Sequence, residues 1–444
     1  MELHEALSAS DLTTLRITRG RTGFDLRLSR DWDPVVDWSD YATTFQVDQV
    51  PCVAPVVMGG AAARAHLKDI GAGPSLDNLI SLMRAGRHEM VHMHVHAELG
   101  MRAVNHVHSS TLGANNGHHA IRAGGVRRHD AGESEGEVLI DGLNLGRGMS
   151  FKNAAAQIPF GGCKMTVQCA PFALDDLERL GFLAHCIDAG HFFTGPDMGF
   201  SPSLADALRA RFTHNIVGGP GGAMGPTGTP TARGTFMAMR ECAHAAWGSE
   251  DLAGKRVLIQ GLGAVGLPLA TLVNEAGAEL WACDQSPEQL AAARERFGQL
   301  NVVDADSALL QDCDVLSPNA VGGVFDAGSI DNLSCSIICG AANNQLRAVS
   351  REEEEALAER VRGRGIVYPP EWTHNVAGVV AGYEEYKHQE EAAMGRLDPH
   401  LERVCRLGTR DRLARAAERA CSPTALAYRD VESQIDSGLG ARDA

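Results

Sequence analysis

The chain has 444 residues, 44% of them hydrophobic and 22% charged, with a formal net charge of −16. This is the composition of an ordinary globular protein long enough for two or three domains, and its acidity argues against nucleic acid or an anionic membrane as partner. No apolar run approaches the ~18 residues of a bilayer span, Met1 to Glu5 lacks the basic start of a secretory signal, and the eleven cysteines include no CxxC pair, so free thiols in a reducing cytoplasm are expected.

Residues 1–75 show no clear period and contain the breaks Asp31-Trp32-Asp33-Pro34 and Pro51 to Pro55, which reads as an N-terminal extension of short elements. A substrate or catalytic domain is expected over 76–225. It opens with the period-2 run Val91-His92-Met93-His94-Val95-His96 and a second strand, Ala103 to His108. Helices are expected over Gly142 to Ala156 and Asp175 to Ala189. From 226 to 382, strands (Arg256 to Gln260, Glu279 to Asp284, Asp314 to Leu316, Ser336 to Cys339, Gly365 to Tyr368) alternate with helices, the doubly wound α/β pattern. The charged segment 383–436 is expected to be helical and to complete the first domain, with a flexible tail at 437–444.

Val257-Leu258-Ile259 runs into Gly261-Leu262-Gly263-Ala264-Val265-Gly266 and then into an apolar helical stretch, with Asp284 closing the next strand. Gly261 permits the tight turn, Gly263 lets backbone approach a pyrophosphate, and Gly266 lets helix and strand pack closely. Asp284 stands where a carboxylate bonds an adenosine ribose and repels a 2′-phosphate, which favours NAD over NADP.

Eight of the eighteen histidines lie between His88 and His119, three of them alternating on one strand. Imidazoles two apart can share a metal, but no acidic or cysteine partner is placed nearby. A polar sheet face or a subunit contact is the favoured reading, and no metal is expected.

Upstream lie Gly148-Met149-Ser150-Phe151-Lys152-Asn153-Ala154-Ala155-Ala156, Gly161-Gly162-Cys163-Lys164 and Thr194-Gly195-Pro196-Asp197-Met198-Gly199. Downstream lie Pro230-Thr231-Ala232-Arg233-Gly234, Gly340-Ala341-Ala342-Asn343-Asn344-Gln345-Leu346 and Pro370-Glu371-Trp372-Thr373-His374-Asn375. In these motifs and their order the chain resembles the glutamate/leucine/phenylalanine/valine dehydrogenase family, most closely its leucine and phenylalanine branch.

That resemblance implies reversible NAD-dependent oxidative deamination of an L-amino acid to a 2-oxo acid and ammonia, in a homo-oligomer. Lys152 would hold the α-carboxylate. Lys164 would be the base, its ammonium form disfavoured by desolvation and a neighbouring cation. Asp197 would be the second proton-transfer group. Asn375 would bond the substrate amine or the nicotinamide side, and Thr231, Ala341 and Asn343 would lie against the nicotinamide and its ribose. Gly195 leaves room for a side chain, with Val404 and Leu407 as an apolar wall.

The chain departs from its relatives at Ala114-Asn115-Asn116-Gly117-His118-His119, where they carry a proline and a closing Gly-Gly. Asn116 with Gly117 either meets a partly polar substrate side chain or is only a turn. Rival readings are an enzyme for an unusual amine or imine, and a non-catalytic nucleotide-binding oligomer.

Overall fold

A hairpin begins where no period was expected. β1 (Thr14–Arg19) and β2 (Phe24–Arg30) pair antiparallel across a turn in which the Gly20 N–H meets the Gly23 carbonyl at 2.7 Å. Leu15 and Ile17 on one strand and Leu26 and Leu28 on the other are buried, the alternation of a strand with one covered face. The structure is a computed structural model that describes residues 1–110, 121–348 and 350–443, with side chains through 435.

This hairpin joins β3 (Val56–Gly59), β4 (Met90–His96), β5 (Met101–Ser109), β6 (Ile121–His129), β7 (Phe160–Gln168) and β8 (Phe192–Pro196) in an eight-stranded sheet of order β3-β2-β1-β4-β5-β7-β6-β8. β6 runs parallel to β7 and β8, and the other pairings are antiparallel. Leu15 lies opposite Met93. The first 75 residues therefore supply β1, β2 and β3 to one end of this sheet rather than forming a separate extension.

β4 is buried along its whole length because helices cover both faces. Val91, Met93 and Val95 pack with Leu3 and Leu7 and with the helix Gly73–Ala85. The histidines face the other way. Trp32 stacks on His94 and His96, while Trp38 and Trp32 lie against His185 of the helix Leu177–Ala189. The expected polar face or subunit contact is thus an interior layer, closed by tryptophans from the segment that showed no period.

The second sheet is parallel throughout: β9 (Arg256–Gln260), β10 (Glu279–Cys283), β11 (Asn301–Val302), β12 (Val315–Pro318) and β13 (Ile337–Ile338), in the order β11-β10-β9-β12-β13. Val257, Leu258 and Ile259 are fully buried because a central parallel strand is covered on both faces. Each such side chain contributes about 1.5–3 kcal/mol by leaving water. Gly365 to Tyr368, expected as a strand, adds only a bridge between Val367 and Ile337.

The chain divides into two compact units, Met1–Ala154 with Ile158–Pro226 and the end from Gln434, and Ala155–Gln157 with Thr227–Ser433. The C-terminal helices up to Ser433 accordingly sit with the second, parallel sheet, not with the first domain they were expected to complete. Glu241, in the helix Gly228–Trp247, explains the docking. Its buried carboxylate accepts from Arg406 at 2.9 Å and Arg410 at 2.7 Å. The last helix, Pro423–Asp443, also continues through the expected flexible tail. All eleven cysteines are free thiols, and no helix among the described residues is long and apolar enough to cross a membrane.

Candidate active site

In the first unit, β7 is buried over its full length and carries Lys164 inward, between β5 and β6. The Lys164 ammonium lies 2.5 Å from Asp197 Oδ2, delivered by the turn after β8. Burial disfavours the charged lysine, and the nearby Arg127 guanidinium adds to that; together they outweigh the attraction of Asp197 and hold Lys164 below the usual lysine range. Burial alone would push Asp197 up, but Lys164 and Arg127 overrule it and keep the carboxyl below its ordinary value. A lysine inclined toward neutrality thus faces a carboxylate held ionised.

Three neighbours of this pair were not recognised in the sequence. A β-carbon at Gly125 would stand 3.0 Å from Lys164 Nζ and 3.1 Å from Asp197 Cβ, so the position keeps the space clear. Arg127 Nε donates to Asp197 Oδ2 at 3.0 Å, and Arg127 NH1 donates to Asp141 at 3.2 Å. A Gly-Gly pair within a strand-like run signals close backbone approach, and Gly124-Gly125 was readable in that way. The Arg127 contacts join different elements, and no spacing encodes them.

In the second unit, Gly261 has φ +87°, and a β-carbon there would meet Ala320 at 2.8 Å. At Gly266 a β-carbon would fall 1.8 Å from the Gly261 carbonyl oxygen, while at Gly263 it would point into open space. The helix Gly266–Glu275 opens at this turn, with Ala264 and Val265 leading into it. This is a cradle that backbone can present to a pyrophosphate. It lies at the carboxyl end of β9, where the strand order reverses toward β12. Asp284 accepts the Leu262 N–H at 2.6 Å and the Ser286 N–H at 2.8 Å, tying the turn to β10; a carboxylate retains lone pairs for a ribose hydroxyl. The residues fit a dinucleotide.

Side chains brace the loop after β13. Ala341 N–H donates to Asn319 at 2.9 Å, Gln345 Nε2 and His374 Nε2 meet the Gly340 carbonyl at 2.9 and 3.0 Å, and Glu371 accepts from the Asn344 N–H at 2.7 Å. Asn375 donates to the Ala341 carbonyl at 3.1 Å and to Asn343 at 2.9 Å. Its Oδ1 is buried without a partner among the described residues. Thr231 bonds the Thr227 carbonyl at 2.7 Å.

Lys152 is half-buried in the last turn of the helix Glu135–Ala155. A β-carbon on Gly195 would lie 3.2 Å from the Val217 carbonyl oxygen, so even alanine is tight there. Val404 is buried and Leu407 is 46% exposed, both in a π-helical turn of the second unit. Asn116 and Gly117 lie outside the described residues.

Each unit thus carries one candidate site: the buried Lys164–Asp197 pair in the first and a glycine turn that fits a dinucleotide in the second. A family model described as Glutamate/Leucine/Phenylalanine/Valine dehydrogenase matches residues 221–428, and one described as Glu/Leu/Phe/Val dehydrogenase, dimerisation domain, matches residues 87–202. The chain is 33% identical to a phenylalanine dehydrogenase of Bacillus thermotolerans over 68% of this chain and 77% of that one. It is 32% identical to a leucine dehydrogenase of Bacillus subtilis over 70% of this chain and 84% of that one. The crystal structure of L-tryptophan dehydrogenase from Nostoc punctiforme is similar with a TM-score of 0.66 and 25% identity, over 81% of this chain and 99% of that one. The chain belongs to the Glu/Leu/Phe/Val dehydrogenase family, and it is an amino acid dehydrogenase, an oxidoreductase acting on CH–NH2 donors.

Proposed function

We propose that the protein catalyses the reversible NAD-dependent oxidative deamination of an L-amino acid with an aliphatic, aromatic or partly polar side chain. The products are the 2-oxo acid and ammonia. The observation that carries this reading is the buried contact between Lys164 and Asp197 at 2.5 Å. Amine oxidation to an oxo acid needs a group that takes a proton from water and a second that returns one to the departing nitrogen.

Lys152 would pair its ammonium with the substrate carboxylate and fix the α-carbon. Bound NAD would supply the hydride acceptor, leaving the substrate as an imine. Neutral Lys164 would then take a proton from water as the oxygen bonds to the imine carbon. Asp197 would relay a proton to nitrogen so that ammonia leaves and the carbonyl forms. Burial of Lys164 keeps its proton affinity suited to this exchange.

Gly261, Gly263, Ala264, Val265 and Gly266 would hold the pyrophosphate and Asp284 the ribose, supporting NAD over NADP. Thr231, Ala341 and Asn343 would lie at the nicotinamide end, with the free acceptor of Asn375 facing the carboxamide or the substrate amine. Eleven free thiols suit a reducing cytoplasm. A homo-oligomer formed through the first unit is supported by the dimerisation-domain match over residues 87–202.

The test is a panel of aliphatic, aromatic, amide and basic L-amino acids with NAD, scored for NADH and ammonia. Equal yields of both from one group of substrates are expected. NADH without ammonia, or silence across the panel with NAD bound, would contradict the reading.

A further inference from the structure

We propose that Arg127 is a positioning residue for the proton-transfer pair: it fixes the Asp197 carboxylate and supplies a permanent positive charge beside Lys164, while Asp141 acts on the same pair in the opposite sense. This rests on the assignment of Lys164 and Asp197 as the proton-transfer groups.

Gly125, Arg127 and His129 alternate along β6 and so share one face of the strand. The missing side chain of Gly125 admits the Lys164 ammonium, and the guanidinium of Arg127 closes over the other side of Asp197. One atom, Asp197 Oδ2, takes both cations: Lys164 Nζ at 2.5 Å and Arg127 Nε at 3.0 Å. Arg127 cannot swing away freely, because its NH1 lies between both oxygens of Asp141 at 3.3 and 3.2 Å. Asp141 comes from the helix that carries Lys152, and it is also within 3.2 Å of His129 Nε2, whose Nδ1 meets Glu133 at 2.9 Å. Among the described residues, the charged and titratable groups linked to the pair are thus Arg127 and His129 from β6, Asp141 from that helix, and Glu133 before it.

A guanidinium stays charged throughout the working pH range, whereas a histidine in its place could titrate with the reaction. Its planar fork also bridges two carboxylates in a fixed geometry. The arrangement therefore holds Asp197 toward Lys164 as Lys164 gains and loses its proton. The same constant charge favours the neutral lysine, and the charge of Asp141 opposes that effect.

The experiment is the pH profile of kcat/KM for oxidative deamination, whose rising limb reports loss of the Lys164 proton. Arg127→Gln should move that limb to higher pH and Asp141→Asn should move it to lower pH. Arg127→Lys, which restores the charge, should recover much of the wild-type profile. A purely structural role would lower kcat/KM at every pH without displacing the limb. An unmoved limb, or displacement in the same direction for both variants, overturns the proposal. Should Arg127→Gln fail to fold, Asp141→Asn decides alone, since Asp141 lies at the partly exposed surface of its helix. Full activity in Lys164→Ala would instead sink the underlying assignment, and the role of Arg127 with it. Loss of activity in Lys164→Ala with an unmoved limb sinks the role of Arg127 alone.

Discussion

Gly125 and Lys164 face each other so closely that one added methyl group would stand 3.0 Å from the Lys164 nitrogen. The strand has given up a side chain at this point to let a buried ammonium reach Asp197. Gly125→Ala should therefore displace the end of Lys164 by a few tenths of an ångström while leaving the sheet intact. Misplacement of a catalytic group by about 1 Å can cost roughly a hundredfold, so a shift of a few tenths of an ångström should cost about two- to tenfold in kcat/KM. Steady-state kinetics alongside a melting curve would check this, and wild-type activity would show that the space is not needed.

The interior histidines make stability depend on pH. Burial lowers His88 and His96 to about 4, and His106 and His185 to about 3, from the ordinary imidazole value of 6.5. The native state keeps these rings neutral while the unfolded chain takes up protons, so unfolding binds protons. The stability is fully present above about pH 6.5 and drains away as pH falls toward 4 and 3. Urea midpoints measured from pH 8 to pH 4.5 should fall steadily below about pH 6.5. A flat midpoint would show that the rings are not buried in solution.

Asp284 accepts from the Leu262 amide at 2.6 Å and the Ser286 amide at 2.8 Å, and is proposed to bond the ribose of NAD as well. Asp284→Ser should weaken NAD by roughly tenfold, about 1.4 kcal/mol, and narrow the preference over NADP. Calorimetric titration with both cofactors reads this directly. An unchanged ratio of the two affinities would remove Asp284 from cofactor choice.

Glu241 anchors the C-terminal helices to the second unit through Arg406 and Arg410. Glu241→Ala would remove the buried carboxylate that both guanidinium groups share, leaving Arg406 with Glu402 and Glu250 and Arg410 with Glu250, and stability should fall. Chemical denaturation with a probe on helix 408–418 would detect that loss, and an unaltered midpoint would mean the helices dock by apolar contact alone.

The nucleotide-binding half was legible because its signals are local. A doubly covered parallel strand is a continuous apolar run, so the bounds Arg256–Gln260 could be read directly. Lys164 and Asp197 were legible as motifs, but their neighbours were not, since Gly125, Arg127 and Asp141 converge from separate elements. The alternation of Leu15 with Ile17 and of Phe24 with Leu26 and Leu28 was present in the sequence but obscured by the proline breaks that follow it. The docking of the C-terminal helices draws on the buried carboxylate of Glu241, whose partners lie 165 and 169 residues away, and on Glu250, which holds the same two arginines. A helical pattern shows which face is covered, not by what.

The most direct test of the account compares Lys164→Ala with the wild type in kcat/KM for the preferred amino acid and in affinity for NAD. Loss of about 10²–10⁴-fold in kcat/KM is predicted from removing a general base. NAD affinity should be unchanged, because the residues proposed to hold the cofactor belong to the other unit. Retained turnover in Lys164→Ala would contradict the central claim that this buried lysine carries the proton chemistry.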